Sequence, residues 1–245
     1  MSSIGTGGWG WGWLGQDGAG LGSPYSQKVL GYSPIAYWPM NEATGTNANC
    51  LVNSAQNGTY SGVTLGQTGI GDGNTCPLFD GANDYLDVYS TAFNTAWAQT
   101  TSSISMWVKL FNVGAWSDER RALIRLSVDG DNQLDMYTNS GVLWGAITAN
   151  TVVEAVSDAR TDVDWMHIVM TNNEATDTLI LYVDATAVDT ETSATGVWSG
   201  NLSSTACVVG DKNLEGGDPW YGWLAHCAVW DSVLTPTQIA DLAVV

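Results

Sequence analysis

Short runs of alternating apolar and polar residues recur along most of this chain, and turn-forming residues separate them. In the clearest run, 103–109, apolar residues fall at every second position, as in a strand with one buried face. Residues 122–128 and 134–137 predict two strands joined by a hairpin, because Asp-Gly at 129–130 is typical of such turns. The spacing continues through 142–147, 165–172 and 178–183. Short, regularly spaced strands favour an all-β sandwich.

Both ends of this pattern carry more specific predictions. Residues 32–42 predict an edge-type first strand, with prolines near both ends. Residues 78–81 and 85–88 predict a hairpin that turns around residues 82–83. The one convincing helix is 236–242: Thr235 can cap it, and Gln238 can reach back to the Thr235 amide.

The first 31 residues differ from the rest. Trp9, Trp11 and Trp13 alternate with glycines, so an extended chain places the three indoles on one face. Glycine cannot hold that shape alone, because it loses the most backbone entropy on ordering. We interpret 1–31 as an arm that anchors to a partner or a neighbouring copy through these tryptophans. The alternative is that it folds back on its own domain, residues 32–245.

The amino-acid composition limits the kinds of partner that this chain can bind. The chain has 245 residues, 44% of them apolar, which suffices for one sandwich with a full core. Seven cations face 25 carboxylates, for a net charge of −18. Nucleic acid and anionic membranes are therefore poor partners, since both need clustered lysine and arginine. No apolar run approaches the roughly 18 residues of a membrane span.

The four cysteines leave the redox state open. No pair has the C-x-x-C spacing typical of zinc sites. Three disulfide connectivities exist, and neighbour pairing, Cys50 with Cys76 and Cys207 with Cys227, is the simplest. Four buried reduced thiols are the alternative.

Six segments resemble, in the same order, motifs of the laminin-G-like domains of the concanavalin A-like lectin/glucanase superfamily. They are 36–38 with Glu42 and Gly45, 79–81 with Tyr85 and Leu86, 104–109, 165–169, 181–184 and 222–224. The resemblance covers about 32–243. It implies a two-sheet antiparallel jelly-roll sandwich of about a dozen strands, closed by the short C-terminal helix.

The resemblance also implies candidate metal ligands. Many members of this superfamily bind calcium at loops beside the first strand, which corresponds here to Glu42 and Asp80, with Asp84 nearby. The chain departs from the family pattern at Ala225 and His226, where acidic residues are usual. No cofactor is required, and calcium is the one ion that the resemblance implies.

The sequence argues against glycoside hydrolysis and is compatible with sugar binding. Glycoside hydrolases need two carboxylates about 5 to 9.5 Å apart, and on this fold they come from alternating acids on one strand. No strand carries that pattern. Sugars stack on exposed aromatic rings, and five aromatic residues fall near turns or strand ends, although core packing is the alternative for each: Trp116, Trp144, Trp198, Trp220 and Tyr221.

These observations predict a non-enzymatic structural and binding protein on an extracellular assembly. The specific hypothesis is a phage virion surface protein, in capsid decoration or a tail adhesin, anchored by the arm to other virion proteins or sister subunits. The first residues lack the features of a secretory signal. A particle released by lysis, or a processed chain, would reconcile that with an extracellular role. The alternatives are a lectin module for host or other glycans and, third, a glucanase-like hydrolase.

Overall fold

The computed structural model describes residues 23–97, 100–117, 119–150, 152–193, 196 and 198–245. These residues form sixteen strands: β1 Ala36–Trp38, β2 Asn47–Ala48, β3 Gly58–Ser61, β4 Thr64–Thr68, β5 Thr75–Asp80, β6 Tyr85–Asp87, β7 Thr101–Leu110, β8 Arg121–Ser127, β9 Asn132–Asn139, β10 Val142–Ala149, β11 Val152–Ala159, β12 Met166–Asn173, β13 Thr178–Val183, β14 Thr186–Glu191, β15 Cys207–Val209 and β16 Tyr221–Trp230. The α-helices among them are α1 Pro24–Gly31, α2 Thr91–Ala96, α3 Gly114–Ser117 and α4 Pro236–Leu242. Within the described ranges, no helix is both long and apolar enough to cross a membrane.

The strands form two antiparallel sheets, which confirms the predicted sandwich. Sheet A has the order β14-β13-β12-β7-β16-β5-β4, with β1 also paired to β16. Sheet B has the order β11-β10-β9-β8-β15-β6-β3-β2. The predicted hairpin at 129–130 is confirmed, since β8 and β9 pair on either side of it.

The main core lies between the sheets. Strand β7 shows why: Ile104, Met106 and Val108 point inward and are fully buried, as its alternating pattern predicts. Trp38 and Trp220 are also fully buried there. The Trp38 indole N–H donates to the Gln56 carbonyl at 2.8 Å, so this buried polar group is satisfied.

A second apolar cluster covers the outer face of sheet A beneath α1 and α4. Tyr25 of α1 accepts a hydrogen bond from the Trp107 indole N–H and donates to the Leu242 carbonyl, both at 2.7 Å. Residues 24–31, inside the segment predicted as an arm, are thus packed on the sandwich. The predicted anchors Trp9, Trp11 and Trp13 lie outside the described residues.

The helix predictions were right for α4 and incomplete elsewhere. In α4 the capping box is present: the Thr235 hydroxyl accepts from the Gln238 amide, and the Gln238 side chain accepts from the Thr235 amide. Three further helices were not predicted. Two of them begin at a serine N-cap, Ser23 before α1 and Ser90 before α2, and a proline follows Ser23.

The predicted hairpin over 78–88 is wrong. Strand β5 pairs with β4 and β16 in sheet A, whereas β6 pairs with β3 and β15 in sheet B. Residues 81–84 therefore cross from one sheet to the other. Gly81 takes a positive φ of 79°, and the buried Asp84 carboxylate accepts a hydrogen bond from the Asp80 amide at 2.9 Å. This hydrogen bond to a buried carboxylate stabilises the segment that passes from sheet A to sheet B.

All four cysteines are free and buried. Cys207 lies on β15 in sheet B and Cys227 on β16 in sheet A, so the predicted neighbour pairing is not formed. The structure therefore agrees with the alternative of four buried, reduced thiols. Burial raises the pKa of the Cys76 and Cys207 thiols to about 12, which keeps both protonated and unreactive.

A bulge in β16 places a histidine in an unusual position. Pairing with β7 shifts register between Ala225 and Ala228, and His226 takes a positive φ of 55°. Its buried ring contacts the Tyr37 hydroxyl through Nδ1 at 2.6 Å and the Asp72 carboxylate through Nε2 at 3.3 Å. This histidine, where the family pattern has an acid, is therefore part of a buried polar network.

Candidate functional site

The structure separates the predicted sugar-binding aromatics into two groups. Trp116, Trp198 and Trp220 are 2%, 3% and 0% exposed, so they pack in the core and offer no ring face to a ligand. Trp144 and Tyr221 are half-buried at the surface. Trp144 lies on the outer face of sheet B, whereas Tyr221 lies on β16 and stacks on Phe111 with ring centroids 4.4 Å apart.

Trp144 is half of an aromatic pair. It is the register partner of Tyr137 across β9 and β10, and both side chains point outward because their neighbours Met136 and Leu143 point into the core. The two rings are nearly parallel, at 11°, with centroids 6.3 Å apart. The Arg120 guanidinium lies over the Tyr137 ring, 3.9 Å from its centroid. We call Tyr137 and Trp144 the aromatic pair.

Tyr137 lines a groove of about 310 Å³, and Trp144 stands next to Tyr137 outside the groove lining. Its polar lining consists of Gln133, Asn139 and Thr148, together with the charged Arg120 and Asp135. The Gln133 side-chain amide has no hydrogen-bond partner within the part of the chain that the structure describes. It can therefore both donate to and accept from a ligand hydroxyl.

Ion pairs hold the floor of the groove in place. Asp135 accepts two hydrogen bonds from Arg125, at 2.5 and 2.8 Å, and one from Arg120 at 3.1 Å. Arg120 also contacts Asp218 at 3.4 Å, and Lys212 contacts the same carboxylate at 3.3 Å. Burial by itself would lower the pKa of Arg125, but the hydrogen bond and charge of Asp135 raise it. The groove thus has fixed, mutually paired charges.

The predicted calcium ligands are not assembled. Glu42 accepts from the Asn49 amide at 2.8 Å and from the Tyr60 hydroxyl at 2.9 Å. Asp84 is buried against the Asp80 amide, and Asp80 is exposed. Among the residues that the structure describes, no group of three or more His, Cys, Asp or Glu side chains is placed to hold a metal ion. Calcium binding by Glu42, Asp80 and Asp84 stays an untested prediction.

Sequence reasoning missed most of the groove. Tyr137 could have been predicted, because the tight turn at 140–141 between β9 and β10 sets the register that pairs it with Trp144. Gln133 lies four residues before Tyr137 on β9, so strand alternation places both side chains on one face. The signal for Arg120 is weaker, since it lies outside β9 and its approach to Tyr137 depends on tertiary packing.

Two antiparallel sheets packed face to face, with a polar and aromatic groove on an outer face, define a lectin-like sandwich domain. A family model described as the concanavalin A-like lectin/glucanases superfamily matches residues 79–240, more than half of the chain. The chain belongs to this family. No match to it is found among curated proteins.

Solved structures share the fold at low sequence identity. The binding domain of botulinum neurotoxin serotype D has a TM-score of 0.64 and 15% identity, with 86% of this chain and 51% of that chain covered. The same serotype's ligand-binding domain in complex with N-acetylneuraminic acid has a TM-score of 0.65 and 16% identity, with 86% and 50% covered. This chain therefore spans about half the length of the neurotoxin domains.

Another match covers nearly all of one domain of an enzyme. It is domain 4 of AbnA, an extracellular arabinanase of Geobacillus stearothermophilus, solved in complex with arabinotriose. The TM-score is 0.62 and the identity 14%, with 86% of this chain and 98% of that domain covered. These likenesses establish the fold.

Proposed function

We propose that this chain is a non-catalytic carbohydrate-binding module that binds a neutral oligosaccharide in the groove of sheet B. The observation that carries the proposal is the aromatic pair, Tyr137 and Trp144, beside a row of polar side chains. The apolar C–H face of a pyranose or furanose ring packs on aromatic rings, and its hydroxyls need donors and acceptors at the side.

The charges of the groove favour a neutral ligand. Arg120 and Arg125 both pair with Asp135, so an acidic sugar would have to compete with a carboxylate that already satisfies them. Hydroxyls can instead bond to Gln133, Asn139 and Thr148. The same ion pairs leave Asp135 without a free oxygen for acid–base chemistry, which supports a binding role over hydrolysis.

The comparisons support the proposal through shared fold alone. One neighbour was solved with arabinotriose, and another, which this chain matches across half of its length, with N-acetylneuraminic acid. At 14% and 16% identity neither identifies the ligand of this chain.

A panel of neutral oligosaccharides, including arabinotriose, tests the proposal by isothermal titration calorimetry. We expect Trp144→Ala and Tyr137→Ala each to weaken binding at least about tenfold, a loss typical of a central aromatic residue. Trp223→Ala is the matched control, because Trp223 is a half-buried tryptophan on sheet A. No binding across the panel, or equal losses in the control, would refute this site.

We also propose that the module is displayed on an extracellular particle such as a phage virion. This rests on the glycine and tryptophan pattern of the first residues, with Trp9, Trp11 and Trp13 as anchors to virion proteins or sister subunits. The test is deletion of residues 1–22, which spares Ser23, the N-cap of α1. We expect the shortened chain to stay folded and to bind sugar but to be absent from purified particles. Normal incorporation would rule the anchor out.

A further inference from the structure

A second cleft lies on the outer face of sheet A. It has a volume of about 380 Å³ and spans three central strands and an edge strand of the sheet. Its lining residues are Gln67, Thr68, Gly69, Lys109, Trp165 and Trp223. The volume falls in the range of small-molecule sites. The groove of sheet B does not account for it.

Lys109 is held in place at this cleft. It is the register partner of Trp223 across β7 and β16, and its ammonium group lies 5.5 Å from the centre of the Trp223 ring. Phe111 stacks on Trp223 as well, at 12° with centroids 5.6 Å apart. Trp223 thus serves as a support that positions the Lys109 charge.

Lys109 is also an unusual cation for this protein. With 25 carboxylates and 7 cations in the chain, cations are expected to find acidic partners. Within the described ranges, such partners lie within 4.0 Å of Lys28, Arg120, Arg125, Arg160 and Lys212. Lys109 makes no ion pair with any residue in the described ranges. An unpaired lysine in a cleft attracts an anionic group.

Trp165 provides a surface on which a ring can stack. It immediately precedes β12, is half-buried, and lines the cleft together with Lys109. Across the described parts of the chain, its ring stacks on no other aromatic ring and its indole N–H has no partner. Gln67 uses its amide N–H to reach the Leu65 carbonyl, which leaves its side-chain oxygen as an acceptor for a hydroxyl.

From this arrangement we infer that the cleft of sheet A is a second saccharide site, specific for sugars that carry a carboxylate. The carboxylate pairs with Lys109, the ring packs on Trp165, and hydroxyls bond to Gln67 and Thr68. The site is independent of the proposed function, because its residues lie on the other sheet. Its ligand class also differs, acidic here and neutral in the groove.

The test uses two sugars that differ only in the group at C6. Sodium glucuronate and glucose are titrated separately into the whole protein while the indole N–H signals are followed by NMR. The Trp165 signal is identified by its loss in Trp165→Ala. We expect glucuronate to shift this signal and glucose to shift it at least about tenfold less effectively, because a hydrogen bond to a charged group is worth roughly that factor.

Three variants and a titration with sodium acetate complete the design. Lys109→Met, which keeps the length of the side chain, is expected to abolish the preference for glucuronate, and Lys109→Arg to retain it. Trp144→Ala is expected to change nothing at this cleft while weakening binding in the groove, so failures of the two sites are distinguishable. Thermal unfolding of each variant verifies that it is folded.

Four outcomes would overturn the inference. They are equal shifts with glucose and glucuronate, no shift with either sugar, an unchanged preference in Lys109→Met, and an acetate effect as large as that of glucuronate. The last would show a carboxylate site without recognition of the sugar ring.

Discussion

The buried Asp72 carboxylate is expected to be a major determinant of stability. It contacts His226 at 3.3 Å and accepts hydrogen bonds from the Ser23 hydroxyl at 3.0 Å and from the Asn74 amide at 3.1 Å. It therefore joins the N-cap of α1 to the bulge of β16. Burial by itself would raise the pKa of Asp72, but His226, Asn74 and Ser23 outweigh it and hold the pKa well below its usual range.

Substitution of Asp72→Asn keeps the size of the side chain and removes its charge. A hydrogen bond to a charged group is worth about 1.5 to 3 kcal/mol, and Asp72→Asn weakens several such contacts while the amide keeps part of the hydrogen bonding, so we expect a loss of about 2 to 4 kcal/mol at pH 7. For a chain of this length each kcal/mol lowers Tm by about 2 to 4 °C. The expected fall in Tm is therefore roughly 5 to 15 °C.

The pH dependence identifies the responsible group. A carboxyl whose pKa is lower in the folded state adds stability above its unfolded pKa of about 3.9 and loses it as the pH falls through the folded value. The difference between wild type and Asp72→Asn should thus be the same at pH 7 and pH 5 and shrink only below about pH 4.

Urea unfolding followed by tryptophan fluorescence measures this difference at each pH. The control is Asp241→Asn, the same change in an exposed ion pair with Lys28, where we expect a loss below about 1 kcal/mol. Equal midpoints for wild type and Asp72→Asn at pH 7 would refute the reasoning. A difference that grows between pH 7 and pH 5 would attribute part of the effect to protonation of a histidine.

Further predictions concern the sheets and the buried groups. Gly222→Ala should cost more than about 3 kcal/mol or prevent folding, because φ is +148° and a Cβ would overlap the Lys109 carbonyl oxygen, whereas Gly130→Ala, with nothing within 4 Å, should be nearly neutral in the same urea assay. Burial, aided by the charge of His226, lowers the pKa of His167 to about 3, so its ring signals in NMR should not titrate between pH 8 and pH 5. Since the unfolded ring protonates near pH 6.5, this group lowers stability progressively below that pH; a His167 titration near pH 6.5 in the folded protein would contradict its burial. A thiol reagent should label no cysteine in the native protein and all 4 in denaturant, and labelling of the native protein would contradict the burial of all four.

Local signals made much of the fold predictable. The alternation in β7 and the turn between β8 and β9 depend on neighbouring residues alone, and so does the capping box of α4. The error at 81–84 has a nonlocal cause. The same turn residues serve a chain that returns to its own sheet and one that crosses to the other sheet. Here the buried Asp84 carboxylate, which accepts a hydrogen bond from the Asp80 amide, stabilises the crossing.

The sites were less predictable than the fold. Trp220 and Trp144 both lie near strand ends in the sequence, yet one is fully buried and the other reaches the surface. Which face of a strand a tryptophan occupies depends on register, and a bulge changes register. The cleft of sheet A is harder still, because Trp165, Lys109 and Gln67 come together only after β4, β7, β12 and β16 share one sheet.

The pairing of α1 with α4 brings the two ends of the described chain side by side. Lys28 donates to the carbonyls of Asp241 and Val244, at 3.0 and 2.7 Å, so residue 23 and residue 245 leave from the same side of the sandwich. A linker, label or surface tether joined directly at residue 23 or residue 245 would therefore start from the face opposite the aromatic pair. A copy immobilised at either of these two residues would hold its groove toward the solution.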